Sequence, residues 1–282
     1  MSTLKILADD LMARLQRRPG DYLGEDGILH CGKCGEARTA VIRASTGEDI
    51  PHPRMCACDR EMQAAADLKI AEREKKEHVD RLRKIGIPKG LWEITFNSDD
   101  DPSSPFSKTC RRYVKAWPQM YKEGAGIIFT GGVGTGKTFL AACIANALVD
   151  MERRVLMTTV PDLMARMTNF KDDLDDILSE LCTANLVVLD DLGAERDTSF
   201  SVEQLYVAIS ARMQTGKPTI FTTNLSLEEM SKVQDIRYKR IYDRVLGMCP
   251  IQLQLTGESR RKGEYSKRRA RVREILNSVK ED

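Results

Sequence analysis

Between residues 127 and 255, short apolar runs alternate with longer segments of helical character. Residues 127–129 (Ile, Ile, Phe), RRVLMTTV, LVVLDD and KPTIFTTNLS read as strands. The run Leu186, Val187, Val188 and Leu189 has no polar alternation, the pattern of a strand covered on both faces of a parallel sheet. The intervening segments FLAACIANALV from Phe139, LMARMTNFKDDLDDILSELCTA, and FSVEQLYVAISARMQTG ending near Gly216 each read as one helix. A further helix from about Cys110 leads into the first strand. Upstream, residues 59–85 are rich in charge and helix formers and lack Gly and Pro, which predicts a helical connector. Next come GIPKGLWEITF, from Gly86 to Phe96, and the evident loop NSDDDPSSPFS. At the start of the chain Leu4, Leu7, Leu11 and Leu15 share one helical face, suited to self-packing or to docking a partner. The pattern predicts an α/β core with a parallel sheet.

Two motifs give that core a chemistry. GGVGTGKT, comprising Gly131, Gly132, Val133, Gly134, Thr135, Gly136, Lys137 and Thr138, fits G-x-x-x-x-G-K-[ST] at every fixed position. It lies between a strand and a helix beginning near Phe139, the order phosphate binding requires. Glycines let backbone N–H groups close around phosphates, Lys137 reaches the β and γ phosphates, and the Thr138 hydroxyl ligates Mg²⁺. About fifty residues on, LVVLDDLGAE ends an apolar strand with two carboxylates. The carboxyl edge of a parallel sheet is where ligands bind, so Asp190 is expected in the Mg²⁺ shell and Asp191 as the acid that orients the attacking water.

Composition refines the picture. With 282 residues, 41% hydrophobic and 30% charged, the chain is long enough for one substantial core and a smaller module. A net charge of +2 conceals a basic run: eight Lys or Arg against the single acid Glu264 between Ser259 and Arg273, suited to phosphate contacts or to a solvated tail. The first residues include Asp9 and Asp10 within their apolar stretch and no stretch of about 18 apolar residues occurs, so a cytoplasmic protein is expected. Cys31, Cys34, Cys56 and Cys58 form C-x₂-C, a 21-residue gap and C-x-C, the pairing of a structural Zn²⁺ site. The second pair is tight, which leaves room for His52, or His30, to displace one cysteine. Cys110, Cys143, Cys182 and Cys249 lie among apolar neighbours as small hydrophobes.

The succession of motifs resembles an AAA+ ATPase. Within that class GIPKGLWEITF, GVGTGKTFLAACIANAL, LVVLDDLGAE, TIFTTNLS, YKRIYDRVLG and TGESRRKGEY resemble the DnaC/DnaI-type replicative helicase loaders and the related IstB transposition ATPases, in order, over about residues 86–265. The cysteine module is similar to zinc-containing amino-terminal domains of DnaI-like loaders. The resemblance implies ATP and Mg²⁺ at Lys137, Thr138 and Asp190. It further implies Asp191 as the second Walker B acid, Asn224 as a sensor holding the lytic water, and Arg244, with Arg240 one turn earlier, as a finger reaching a neighbouring subunit's γ-phosphate. Arg260 or Arg261 corresponds to a second sensor, and Thr198 and Phe200 to contacts with single-stranded DNA. Most AAA+ enzymes carry Glu where this chain has Asp191, about 1.5 Å shorter in reach, which fits a slow switch; Glu195 is an alternative base. Three parts are expected: residues 1–85, a zinc-binding, helicase-interacting domain with a helical linker; 86–265, the ATPase; and 266–282, a basic tail. Implied partners are a hexameric DnaB-type helicase, single-stranded DNA and further copies of the chain. An IstB-like transposition helper is the alternative, and a metabolic P-loop kinase is disfavoured by the finger-like RIYDR segment and the lack of a recognisable lid.

Overall fold

In the computed structural model, the described residues are 18–25, 27–43, 47, 49–169, 173–195, 198–257, 259, 269–276 and 278. The leucine stripe of residues 4–15 and the sensor candidates Arg260 and Arg261 lie outside them. The chain divides into two compact units, Met1–Glu77 and His78–Asp282.

The first unit contains two antiparallel hairpins, β1 (Tyr22–Leu23) with β2 (Leu29–His30), and β3 (Thr39–Arg43) with β4 (Asp49–Pro53). Helix α1, Ala57–Gly86, begins within it and runs past the unit boundary. Among its described residues only Leu29, Cys31 and Cys56 are buried apolar side chains. Burial on that scale does not hold a domain together, so cross-linking must substitute for a core. A chain of ion pairs adds to it: Arg38 pairs with Asp21 and, at 3.3 Å, with Asp59, which also pairs with Arg18.

The second unit is built on five parallel strands: β5 (Ile127–Gly131), β6 (Val155–Thr159), β7 (Leu186–Leu192), β8 (Thr219–Thr223) and β9 (Ile251–Leu255), in the order β6-β7-β8-β5-β9. Alternation within the apolar runs explains why they lack a polar face. Ile128, Val187, Leu189 and Phe221 belong to one buried cluster, whereas Ile127, Phe129, Leu186, Val188 and Ile220 belong to a second. Each face of the sheet is therefore roofed. The second cluster includes residues of α2 (Pro105–Lys115), α3 (Trp117–Lys122) and α4 (Lys137–Asp150); the first includes residues of α5 (Val160–Met167), α6 (Leu174–Thr183), α7 (Ser199–Gln214), α8 (Leu227–Lys232) and α9 (Ile236–Met248). Each fully buried aliphatic side chain contributes about 1.5–3 kcal/mol.

The single helix expected over LMARMTNFKDDLDDILSELCTA is instead two. α5 ends at Met167 with Thr168 as its cap, and α6 starts afresh with the Asp173 carboxylate accepting from the Asp175 N–H at 2.9 Å. An N-capping aspartate outcompetes continuation of the helical pattern. The helix expected from Cys110 starts earlier, behind the capping Ser104, and Pro118 opens a second short helix. Among the described residues no helix is long and apolar enough to cross a membrane.

Arg212, on α7, is fully buried. It donates to the carbonyls of Leu181 and Ala184 at 2.9 Å, Pro218 at 2.6 Å and Asn185 at 3.3 Å, and to Thr219 Oγ1 at 3.1 Å. Burial pulls its guanidinium down to about 10, so it stays charged at neutral pH. The side chain ties the end of α6 to the amino-terminal ends of β7 and β8, at the edge of the sheet opposite the glycine loop.

Candidate nucleotide site and cysteine cluster

The glycine loop joins β5 to α4 at the carboxyl edge of the sheet. Gly136 is the N-cap of α4 with φ 100°, a conformation costly for any residue with a Cβ, and a Cβ on Gly131 would lie 2.1 Å from the Leu255 carbonyl oxygen. These glycines are thus needed where the loop turns and where it passes β9. Lys137 is buried and donates to the carbonyls of Gly131 (2.9 Å) and Gly132 (2.8 Å) and to Asn224 Oδ1 (2.8 Å). The ends of β5 and β8 are thereby joined through one ammonium group. Thr135 donates back to the Gly132 carbonyl at 3.0 Å.

Asp190 is buried at the end of β7. The Thr138 hydroxyl donates to its Oδ1 at 2.9 Å, and the Thr222 hydroxyl donates to the same oxygen. Burial pushes its carboxyl up from the ordinary range and the neighbouring Asp191 adds to this, while the Thr222 and Thr138 hydroxyls and the Lys137 charge pull against it. Asp191 is exposed, and its φ of 56° coincides with a register shift between Leu189 and Leu192. Its N–H donates to Thr222 Oγ1 at 3.0 Å. In a regular strand consecutive side chains face opposite ways; the bulge re-aims Asp191, so that it lines the same cavity as Lys137 and Thr138. Glu195 Oε2 accepts from the Gly193 N–H at 2.8 Å, closing the loop after the strand.

A cavity of about 520 Å³ lies against the loop, lined by the polar Lys137, Thr138, Asp191 and Asn224 and by the apolar Leu91, Ile94, Val133 and Phe139. A buried carboxylate beside a threonine hydroxyl supplies the hard oxygen donors that Mg²⁺ takes, and glycine-loop N–H groups with a lysine suit a polyphosphate. The roles of Thr222 and of Leu91 and Ile94 escape sequence reading, because their contacts with the motif span tens of residues.

The remaining residues singled out from the sequence lie elsewhere on the second unit. Arg244, on α9, has its guanidinium 4.4 Å above the Tyr206 ring and donates to the Tyr206 hydroxyl (2.6 Å) and the Arg240 carbonyl (3.0 Å). Arg240 is exposed. Thr198 caps α7 by accepting from the Ser201 N–H, and Phe200 beside it is 55% exposed.

In the first unit, the sulfurs of Cys31, Cys34, Cys56 and Cys58 lie within 4.8 Å of one another. Cys31 and Cys34 sit on a tight turn closed by the Gly35 N–H donating to the Cys31 carbonyl at 2.8 Å, and Cys56 and Cys58 sit at the start of α1. Backbone N–H groups of Cys58 and Glu36 hold the Cys34 thiol down at about 6. Cys58 is pushed up to about 12 by the bond it makes to Cys34, by burial and by the charge of Cys34 and Cys31. Four sulfurs converging on one point in a unit with so small a core form a set of soft donors, which is the donor chemistry of Zn²⁺. His52 faces away, its Nδ1 2.9 Å from the Pro53 carbonyl oxygen, and the His30 ring stacks on Tyr22. The converging set is therefore the four cysteines.

The strand order and the glycine loop at the carboxyl end of β5, between β8 and β9, define an AAA+-like P-loop nucleotide-binding protein. Comparison narrows the class: a family model described as IstB-like ATP binding protein matches residues 67–268. The chain belongs to the IstB-like ATP binding protein family. It is 26% identical over 230 residues, 74% of this chain and 73% of the other, to the replicative helicase loader DnaI of Bacillus subtilis. It is 28% identical over 176 residues, 62% of this chain and 58% of the other, to a putative insertion sequence ATP-binding protein of Sinorhizobium fredii. The crystal structure of the DnaC helicase loader superposes with a TM-score of 0.51 at 25% identity, covering 60% of this chain and all of that one.

Proposed function

We propose that this protein is an ATP-dependent replicative helicase loader that holds a hexameric DnaB-type helicase and delivers it onto single-stranded DNA in the cytoplasm. The observation that carries the reading is a nucleotide cavity in a chain similar to a helicase loader over 74% of its length, with a four-cysteine unit ahead of that core. In this reading residues 1–85 bind the helicase, 86–265 bind and hydrolyse ATP, and 266–282 add basic contacts to nucleic acid.

Gly131 to Gly136 and Phe139 cradle the phosphates, Lys137 neutralises them, and Thr138 and Asp190 hold Mg²⁺. The chemistry Mg²⁺ would supply there, when bound, is to offset the negative charge of the phosphates. Asp191 accepts the proton of the attacking water and Asn224 orients that water. Arg244 leaves its own Tyr206 to reach the nucleotide of an adjacent subunit, and Arg260 or Arg261 senses the γ-phosphate in cis. Thr198 and Phe200 contact single-stranded DNA, with the exposed ring stacking on a base. Because the finger comes from a neighbour, hydrolysis is slow in the isolated protein and accelerates on DNA. By linkage, ATP and DNA tighten each other's binding. Cys31, Cys34, Cys56 and Cys58 hold a structural Zn²⁺.

A second reading, a transposition helper ATPase, is favoured by the family match and by the insertion sequence relative. Affinity capture with the full chain separates the two. A loader retains a replicative helicase with or without ATP and stimulates its transfer to single-stranded DNA, whereas a transposition helper retains a transposase and no helicase. Lys137→Ala is the internal control: unchanged ATP affinity in that variant removes the nucleotide assignment.

A further inference from the structure

One buried polar side chain beyond the glycine loop reaches the wall of the nucleotide cavity. Asn146, on α4, is fully buried. Its Nδ2 donates to the carbonyls of Leu91 and Ile94, both at 2.8 Å, and to Ala142 in its own helix at 3.2 Å. Its Oδ1 accepts from Arg83 Nε at 3.2 Å. Arg83 stands in the last turn of α1 and is anchored by ion pairs with Asp150 and with Asp80 at 3.4 Å. Leu91 and Ile94 are apolar residues of the cavity lining.

An amide in an apolar core is costly unless its donors and acceptor are met, and here they are. The partners also fix which way round it sits. With the amide flipped, oxygen would face the Leu91 and Ile94 carbonyls and nitrogen would face a guanidinium, so Arg83 selects the orientation that grips the segment. The segment lacks a regular ladder to hold it: residues 89–91 form one short 3₁₀ turn, and the Trp92 indole N–H donates to the Ile87 carbonyl at 2.8 Å.

We propose that Asn146 is a positioning residue for nucleotide binding, holding residues 91–94 against the P-loop helix so that Leu91 and Ile94 close over the base, with Arg83 setting its amide. This rests on the nucleotide reading of the cavity. It separates two parts of the ligand: the phosphates, held by the loop, and the base, held by a wall that Asn146 keeps in place.

The test compares ATP, ADP and Mg²⁺-tripolyphosphate, which has no base, as ligands of the full-length protein and its Asn146→Leu variant. Affinity for ATP and ADP falls about tenfold or more, the scale of two lost buried hydrogen bonds, while tripolyphosphate affinity stays within about twofold. The KM for ATP rises while kcat at saturation is retained. Arg83→Gln moves the same ratio in the same direction by less, and it carries the test if Asn146→Leu does not fold. An equal loss for ATP and tripolyphosphate would make Asn146 a plain fold residue and overturn the proposal, as would unchanged ATP affinity in both variants. Wild-type protein binding neither probe would overturn the nucleotide reading itself, and this inference with it.

Discussion

Replacing Thr222 by valine removes one hydroxyl from a fully buried site and leaves its volume almost unchanged. That hydroxyl makes two bonds at once, donating to Asp190 Oδ1 and accepting from the Asp191 N–H at 3.0 Å. A hydrogen bond to a charged group is worth about 1.5–3 kcal/mol, so with tenfold per 1.4 kcal/mol the Mg²⁺ needed for half-maximal turnover rises about ten- to a hundredfold. The pH dependence has a definite sign. Burial already raises the Asp190 carboxyl, and Thr222 is foremost among the groups that lower it. Without Thr222 the carboxyl rises further, a proton competes with Mg²⁺ over a wider range, and the defect is larger at mildly acidic than at mildly alkaline pH. The orphaned Asp191 N–H also lowers stability by about 1–3 kcal/mol. The assay is an Mg²⁺ titration of ATP hydrolysis at both pH values, with thermal unfolding alongside. An Mg²⁺ requirement equal to that of wild type at both pH values would refute the assignment of Asp190 to the metal.

Other outcomes follow from the same contacts. Elemental analysis of the purified protein is expected to give one zinc per chain, and Cys56→Ser to reduce it; less than half an equivalent in the wild type counts strongly against a structural site. Arg212→Met leaves four carbonyls and a threonine hydroxyl without their donor and is expected to lower stability by about 3 kcal/mol, or roughly 6–12 °C in Tm; calorimetry showing an unchanged Tm contradicts it. Arg244→Ala keeps ATP binding and nearly all stability, since a part-exposed cation–π contact contributes about 0.5–1 kcal/mol. It loses DNA-stimulated hydrolysis, and turnover equal to wild type with single-stranded DNA rules the finger out.

The elements that were legible in the sequence are those specified by neighbours in the chain. The loop GGVGTGKT and the run LVVLDD carry their strand and turn within a few residues, so Lys137, Thr138 and Asp190 converge where the pattern implies. Asn224 was likewise legible as the polar end of a strand. What escaped depends on distance along the chain. Thr222 meets Asp190 across 32 residues, and Asn146 meets Leu91 across 55. Arg212 sits in a helix whose sequence gives no sign that an arginine there is buried. The break between α5 and α6 was missed for a different reason: the run of aspartates reads equally as a solvated helix face and as a cap, and packing decides between them. The hairpins of the first unit are too short and too irregular in hydrophobic alternation to announce themselves.

The left-handed backbone at Asp191 places a second demand on that position, independent of any reaction. Aspartate, asparagine and glycine tolerate such a conformation better than longer side chains do. A glutamate there would gain reach and lose backbone comfort together, so an exchange that looks like a simple lengthening of the acid is also a conformational substitution. Asparagine at 191 separates the two, because it keeps the backbone preference and discards the base. In an engineering series on this site, the variant to begin with is therefore the one that leaves the bulge undisturbed, and any difference in turnover between Asp and Glu must be divided between chemistry and the shape of the chain.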